Sequence, residues 1–201
     1  MKTRPLISAG LLIAASAFVA GTAFPQDGEK DQMAEMMKWM STGPEHKVLE
    51  TFVGEFDTEW KIWMGGSNSG TPPMITKGTS TTTWQLPGRF TRTEYSHSMM
   101  GMPMTGFSIM GYDRYRKEFE IISGHTMDTA LYSARGTSDD DGKRITVNGL
   151  MDEPSMDMKD KKVKTIIRIV DADTYIWETH DMHLGGDNTK VFEVTFTRKK
   201  E

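Results

Sequence analysis

Residues 55–64 read EFDTEWKIWM. Phe56, Trp60, Ile62 and Met64 alternate with Asp57, Glu59 and Lys61. Side chains along an extended strand point to opposite faces in turn, so a period of two marks a strand with one dry and one wet face. Further strand-like runs follow at short intervals: TKGTSTTTWQL, rich in β-branched residues, then RFTRTEYSHS, TGFSIMGYD, KEFEIIS, TALYSARGT, KRITVNGLM, KVKTIIRIV, TYIWETHDM and KVFEVTFTRK. Turn-forming clusters separate the runs: Pro87-Gly88, DRYR, SDDDG, DEPSMDMKDKK, DAD and LGGDN. About ten strands at such spacing predict an all-β sandwich or barrel. Short connections and the lack of a long helix after Gly54 favour a single antiparallel up-and-down β-barrel, because closure removes exposed strand edges. A sandwich is the alternative.

Upstream of EFDTEWKIWM the period changes. STGPEHKVLETFVGEF reads as a short helix with Ser41 or Thr42 as cap, Pro44 and Glu45 in its first turn, and Val48, Leu49, Phe52 and Val53 as its apolar face. Gly54 ends it. Residues 24–43 form a flexible, short-helical lead-in, with Met33, Met36, Met37 and Met40 at helical spacing. Residues 1–23 read as a secretory signal peptide. Lys2 and Arg4 precede the apolar run Leu6–Ala20, which is too short to span a bilayer, and small residues lead to a cleavage point after Ala23. The barrel domain is then 44–201, and the protein is exported, to the periplasm or beyond.

Removing residues 1–23 leaves 178 of the 201 residues and takes the formal net charge from −4 to −6. A mildly acidic chain lacks the basic face that nucleic-acid binding needs. The mature chain holds no further apolar run long enough for a membrane span. With no cysteine, neither a disulfide nor a lipoprotein anchor is available, and the fold rests on its core. The length suits one domain. Nothing in the sequence sets the oligomeric state.

The candidate site residues fall into two sets. Trp60, Met64, Trp84, Phe107, Met110 and Trp177 are apolar candidates for a core or cavity. His125 sits at a strand end, where a barrel-mouth histidine can touch a ligand. Arg92 and Glu94 lie two apart, in phase with Phe90. If Phe90 faces inward, they line the cavity and hold a polar head group. The second set lies in SHSMMGMPMTG, residues 96–106. This reads as a strand–loop–strand connection with its tip at Gly101–Pro103, and Met100, Met102 and Met104 share an alternating phase. Thioether sulfur selects Cu(I) and imidazole adds a ligand, so His97, Met99, Met100, Met102 and Met104 form a candidate copper site. His180 and Met182, on one strand face with His183 beyond, are a second group. Against this, methionine also fills irregular gaps and lines adaptable surfaces. His46, on the first helix, reads as structural.

Catalysis finds little support. Nucleophile elbow, His-Glu-x-x-His and phosphate-loop motifs are absent, and DDDG (Asp139–Gly142) lacks the spacing of a calcium loop. An Arg92–Glu94 acid–base pair is the only enzymatic reading, and a structural protein with no small ligand is a further option. No cofactor is required, with copper as the alternative.

GPEHKVLETFVGEF, GTSTTTWQLPGRF, MGMPMTGFSIMGYD and IVDADTYIWE, in that order, resemble the DUF1579 family over Gly43–Lys199. The resemblance implies a calycin-like barrel, similar to lipocalins and to fatty-acid-binding and haem-binding barrels, and carries no established activity. It implies a Met-Gly-Met-Pro turn in members, with His97 and Met104 more particular to this chain. Lipocalin-like barrels open on Gly-x-Trp beneath a last-strand Arg. Here Gly54-Glu55-Phe56 and Arg198 are similar to that pairing, with Phe in place of Trp. The reading is an exported β-barrel that binds a small apolar or amphipathic ligand without catalysis; the alternative is a periplasmic copper-binding protein.

Overall fold

The computed structural model describes residues 26–139, 141–185 and 190–200. The leader read over residues 1–23 lies outside the described residues. The chain divides into two units, residues 1–38 and 39–201. The helical methionine spacing corresponds to α1, Gln26–Met40, on which Met33, Met36 and Met37 are exposed.

The second unit begins with α2, Pro44–Lys47, which tightens into a 3-10 turn over Val48–Phe52. Gly43, rather than Ser41 or Thr42, is the cap. Its N–H donates to Nδ1 of His46 at 3.0 Å. Ten strands follow: β1 Gly54–Ile62, β2 Met74–Leu86, β3 Phe90–Met99, β4 Met102–Asp113, β5 Glu118–His125, β6 Tyr132–Ser138, β7 Arg144–Glu153, β8 Met158–Ile169, β9 Thr174–Asp181 and β10 Lys190–Arg198. Each pairs antiparallel with the next, and β10 returns to β1 to close the barrel. The up-and-down barrel, not the sandwich, is the fold.

Register settles which residues face inward. Phe56 and Trp60 of β1 stand opposite Ser80 and Thr76 of β2. Ser80 stands opposite Tyr95 of β3, and Tyr95 opposite Gly106 of β4. One end of the lumen is filled. Leu49 and Phe52 from the helical turn pack with Phe56, Phe119, Ile121, Ile145, Val147 and Ile167, all at most 2 % exposed. Arg198 lies 4.7 Å over the Phe56 ring and donates to the carbonyls of Thr51 (2.9 Å) and Val53 (2.7 Å). The strap explains Gly54. Its φ is +135°, and a Cβ there would meet the Arg198 guanidinium at 2.4 Å.

Three local readings change. The β3–β4 turn is Met100-Gly101, both left-handed at φ 53° and 81°, as a two-residue hairpin of matching twist requires. Pro103 lies within β4, beside the turn. KDKK belongs to β8 rather than to a solvated loop. β9 ends at Asp181, so Met182 and His183 lie in a 3-10 turn and share no strand face with His180.

Candidate functional site

The open half of the lumen is unlike the filled half. Its inward residues include Trp60, Ser80, Tyr95, His97, Ser108, Ser123, His125, Tyr132 and Trp177, placed there by the register. Trp60, Ser108, Ser123, Tyr132 and Trp177 are only half-buried. Solvent reaches this wall, whereas the closed end is dry. Among these residues four side-chain atoms are buried with no hydrogen-bond partner: Ser80 Oγ, His97 Nε2, His125 Nδ1 and the Tyr132 hydroxyl. A buried polar group without a partner costs about 1–3 kcal/mol, so four on one wall need an explanation.

The wall is built for flat side chains. His97 stacks on Trp60 with centroids 3.9 Å apart and planes within 6°, and Tyr95 leans on Trp60 at 5.5 Å. Tyr95 has room because position 106 is glycine: a Cβ there would meet the Tyr95 hydroxyl oxygen at 2.3 Å. Gly149 does the same for Tyr132, whose ring would lie 2.8 Å from an added Cβ. Burial pushes the Tyr95 hydroxyl up to about 12 and the Tyr132 hydroxyl upward. Both are protonated donors at neutral pH. Burial also lowers His97, with a smaller opposing effect from the Ser98 carbonyl, so the imidazole is neutral. Its Nδ1 lies 3.2 Å from that carbonyl and 3.3 Å from Thr76 Oγ1.

A concavity of about 630 Å³ lies along β2–β5 under residues 126–131, and Ser80, Tyr95, Gly106 and His125 of the lumen wall also border it. Arg92, Glu94 and Phe107 are there. The register puts them opposite to Thr91 and Tyr95, so they face outward and do not line the lumen. Arg92 Nε donates to Glu94 Oε1 at 3.0 Å and its guanidinium lies 4.9 Å over Phe107. The pair satisfies itself in water. The acid–base reading loses its cavity, because Phe90 is itself 40 % exposed and its phase is the outer one.

The remaining candidates separate. Trp84 and Met110 pack with the closed-end core, while Met64 is 74 % exposed beyond β1. Met99, Met102 and Met104 share the inner face of the hairpin with His97, Met102 being 47 % exposed at the rim, and Met100 is 60 % exposed in the turn. His180 faces outward with Glu178 and Lys190 and is not brought to His97. Met182 lies on the turn after β9. His125 reaches the end of the lumen wall. Sequence reasoning missed Ser80, Tyr95 and Tyr132. The signal was present in the strand phase, but a polar lumen hides it from a search for apolar faces.

The family model described as a protein of unknown function (DUF1579) matches residues 41–198, from the helix cap to the Arg198 strap. The chain belongs to the DUF1579 family. No curated protein matches this family member. Among solved structures, it is similar to Rv2717c from M. tuberculosis, with 13 % identity and a TM-score of 0.56 over 80 % of this chain and 100 % of that one. A redesigned β-barrel, mFAP0 bound to DFHBI, shows 11 % identity and a TM-score of 0.39 over 74 % and 99 %. The first likeness supports the fold alone. No described helix of the DUF1579 chain is long and apolar enough to cross a membrane.

Three histidines of this protein, His46, His97 and His180, are buried, and burial lowers each below the ordinary 6.5. The unfolded chain therefore binds protons more readily than the folded one just below that value. Stability is full above about pH 6.5 and falls as pH drops toward the folded values. Urea midpoints at pH 7.5 and 5.5 should show the loss. In His46→Asn, which keeps an acceptor for the Gly43 N–H, the loss should shrink. An unchanged pH slope would place the titration outside His46.

Proposed function

We propose that the protein binds a small amphipathic molecule in the open half of its barrel, without catalysis. The observation that supports this reading is the set of buried, unpartnered atoms on the lumen wall, Ser80 Oγ, His97 Nε2, His125 Nδ1 and the Tyr132 hydroxyl. They would take the polar end of the ligand, assisted by the Tyr95 hydroxyl. Trp60 and Trp177 would take the apolar body. A largely apolar wall with a few placed polar groups is how small-molecule sites combine affinity with orientation. The outer groove is the poorer candidate despite its size, because Arg92 and Glu94 already satisfy each other. With the leader read in residues 1–23, the ligand would be met outside the cytoplasm.

The experiment is a titration with the amphipathic probe 1-anilinonaphthalene-8-sulfonate, read by energy transfer from tryptophan. Saturable binding of one equivalent is expected. Tyr132→Ala should weaken it at least tenfold by removing an inward ring and hydroxyl that do not border the outer groove. Arg92→Ala should leave it unchanged. The reverse pattern would move the site to the outer groove and overturn the reading.

A further inference from the structure

Twelve methionines lie between residues 64 and 182, and their placement is one-sided. All but Met110 fall at the end of the barrel where β1 stops and β2 starts, the mouth. The filled end, with the greater need for core packing, uses phenylalanine, isoleucine and valine instead. Gap filling does not account for that distribution, since the mouth is the solvent-reached part of the lumen.

Within the mouth the β3–β4 hairpin brings four side chains onto one inner face. His97 stands opposite Met104, and Met99 stands opposite Met102, one step nearer the turn. Directly opposed residues have Cβ atoms about 4.5–5.5 Å apart, so the four form a compact square. His97 and Met104 are each 6 % exposed. Trp60, flush against the imidazole at 3.9 Å, fixes the ring plane. Nδ1 lies 3.2 Å from the Ser98 carbonyl, which can only accept, and 3.3 Å from Thr76 Oγ1, which can accept or donate. In the tautomer that donates from Nδ1 to the carbonyl, Nε2 presents an in-plane lone pair, buried and without a protein partner. An imidazole oriented by a backbone carbonyl through one nitrogen and bare at the other is the form that ligates metals.

The square contains no carboxylate. Hard cations want oxygen, and among the described residues no group of three or more His, Cys, Asp or Glu is placed to hold a metal ion. Thioether sulfur with one imidazole selects a soft, monovalent ion. We propose that His97 Nε2 and the thioethers of Met99, Met102 and Met104 form a Cu(I) site on the inner face of the hairpin at the barrel mouth. The site shares His97 Nε2 with the amphipathic-ligand reading but does not need it: with His97 on the metal, Ser80, His125 and Tyr132 remain for the ligand.

The test is competition for Cu(I), supplied as the metal alone under reducing conditions, between the purified full-length protein and a chromogenic bicinchoninate chelator. One tightly held equivalent is expected. The triple variant Met99→Leu, Met102→Leu, Met104→Leu keeps side-chain volume and should bind at least tenfold more weakly, while its binding of 1-anilinonaphthalene-8-sulfonate is retained. A second variant, with Met33, Met36, Met37 and Met40 all changed to Leu, should keep the full equivalent. Should the hairpin variant fold poorly, Ag(I) added to the unmodified protein with labelled methionine methyls gives the same answer. The three hairpin methyls should shift, and those of α1 should not. No retained equivalent, retention unaffected in the hairpin variant, or loss caused by the α1 substitutions each overturn the proposal.

Discussion

Replacing Phe56 by alanine is expected to lower the free energy of unfolding by about 3–5 kcal/mol, the usual cost of emptying a large aromatic site in a core. Phe56 is fully buried. It meets Tyr175 edge-on at 5.2 Å and Phe196 at 6.4 Å, and it supports the Arg198 guanidinium 4.7 Å above it. The loss therefore spreads. Without the ring, the fork that holds the carbonyls of Thr51 and Val53 loses its platform, and the helical turn is no longer strapped to the barrel end. Urea denaturation of wild type, Phe56→Ala, Arg198→Lys and the double variant would measure it. Arg198→Lys keeps the charge and loses the planar fork, so the cycle should show positive coupling between the two positions. A Phe56→Ala cost below about 1 kcal/mol, the scale of an ordinary exposed site, would mean that the closed end is not the keystone of the barrel.

The second large effect is expected at Asp181. Lys161 and Asp181 both face inward, opposed across β8 and β9 through neighbouring register positions. Their side chains are 8 % and 10 % exposed and meet at 3.0 Å, with Glu153 at 3.4 Å from the same ammonium. Asp181 also accepts the His183 N–H at 2.9 Å, which caps the turn after β9. Asp181→Ala leaves a buried ammonium with only the more distant carboxylate. A cost of about 3 kcal/mol is expected, the low end for removing one partner of a buried pair, because Glu153 remains. Lys161→Met in the Asp181→Ala background should recover much of the loss by removing the orphaned charge. Thermal melts of wild type, Asp181→Ala and the double variant would decide it, and a double variant no more stable than Asp181→Ala would show that the cap, not the charge, carries the effect.

The period of two in EFDTEWKIWM, with nine further strand-like runs set off by turn clusters, was enough for the number of strands and for an up-and-down barrel. That inference works because strand geometry is local: the pleat alternates side chains whatever the strand packs against. Arg198 over Phe56 was legible through the resemblance to lipocalin-like barrels, which implies an aromatic of the first strand beneath a last-strand arginine. The β3 phase was not. In RFTRTEYSHS both alternating sets mix polar and apolar residues, and Phe90 suggested the wrong one. KDKK read as a loop for the same reason, since a lysine facing inward gives no sign of the Asp181 that balances it.

What the sequence determined by itself was the strand inventory, most of the turns, the helical segment before β1 and the family, all carried by residues near one another along the chain. What only the tertiary structure decided was the inside and outside of β3 and β4. That choice rests on hydrogen-bond register with partners on either side, and a slip of one residue would turn every side chain to the other face. It sends Arg92 and Glu94 to the outer wall and brings Tyr95, His97, Met99, Met102 and Met104 into the lumen. The function of the site depends on that non-local choice, because a polar lumen carries no hydrophobic pattern by which a single strand could announce its inner face.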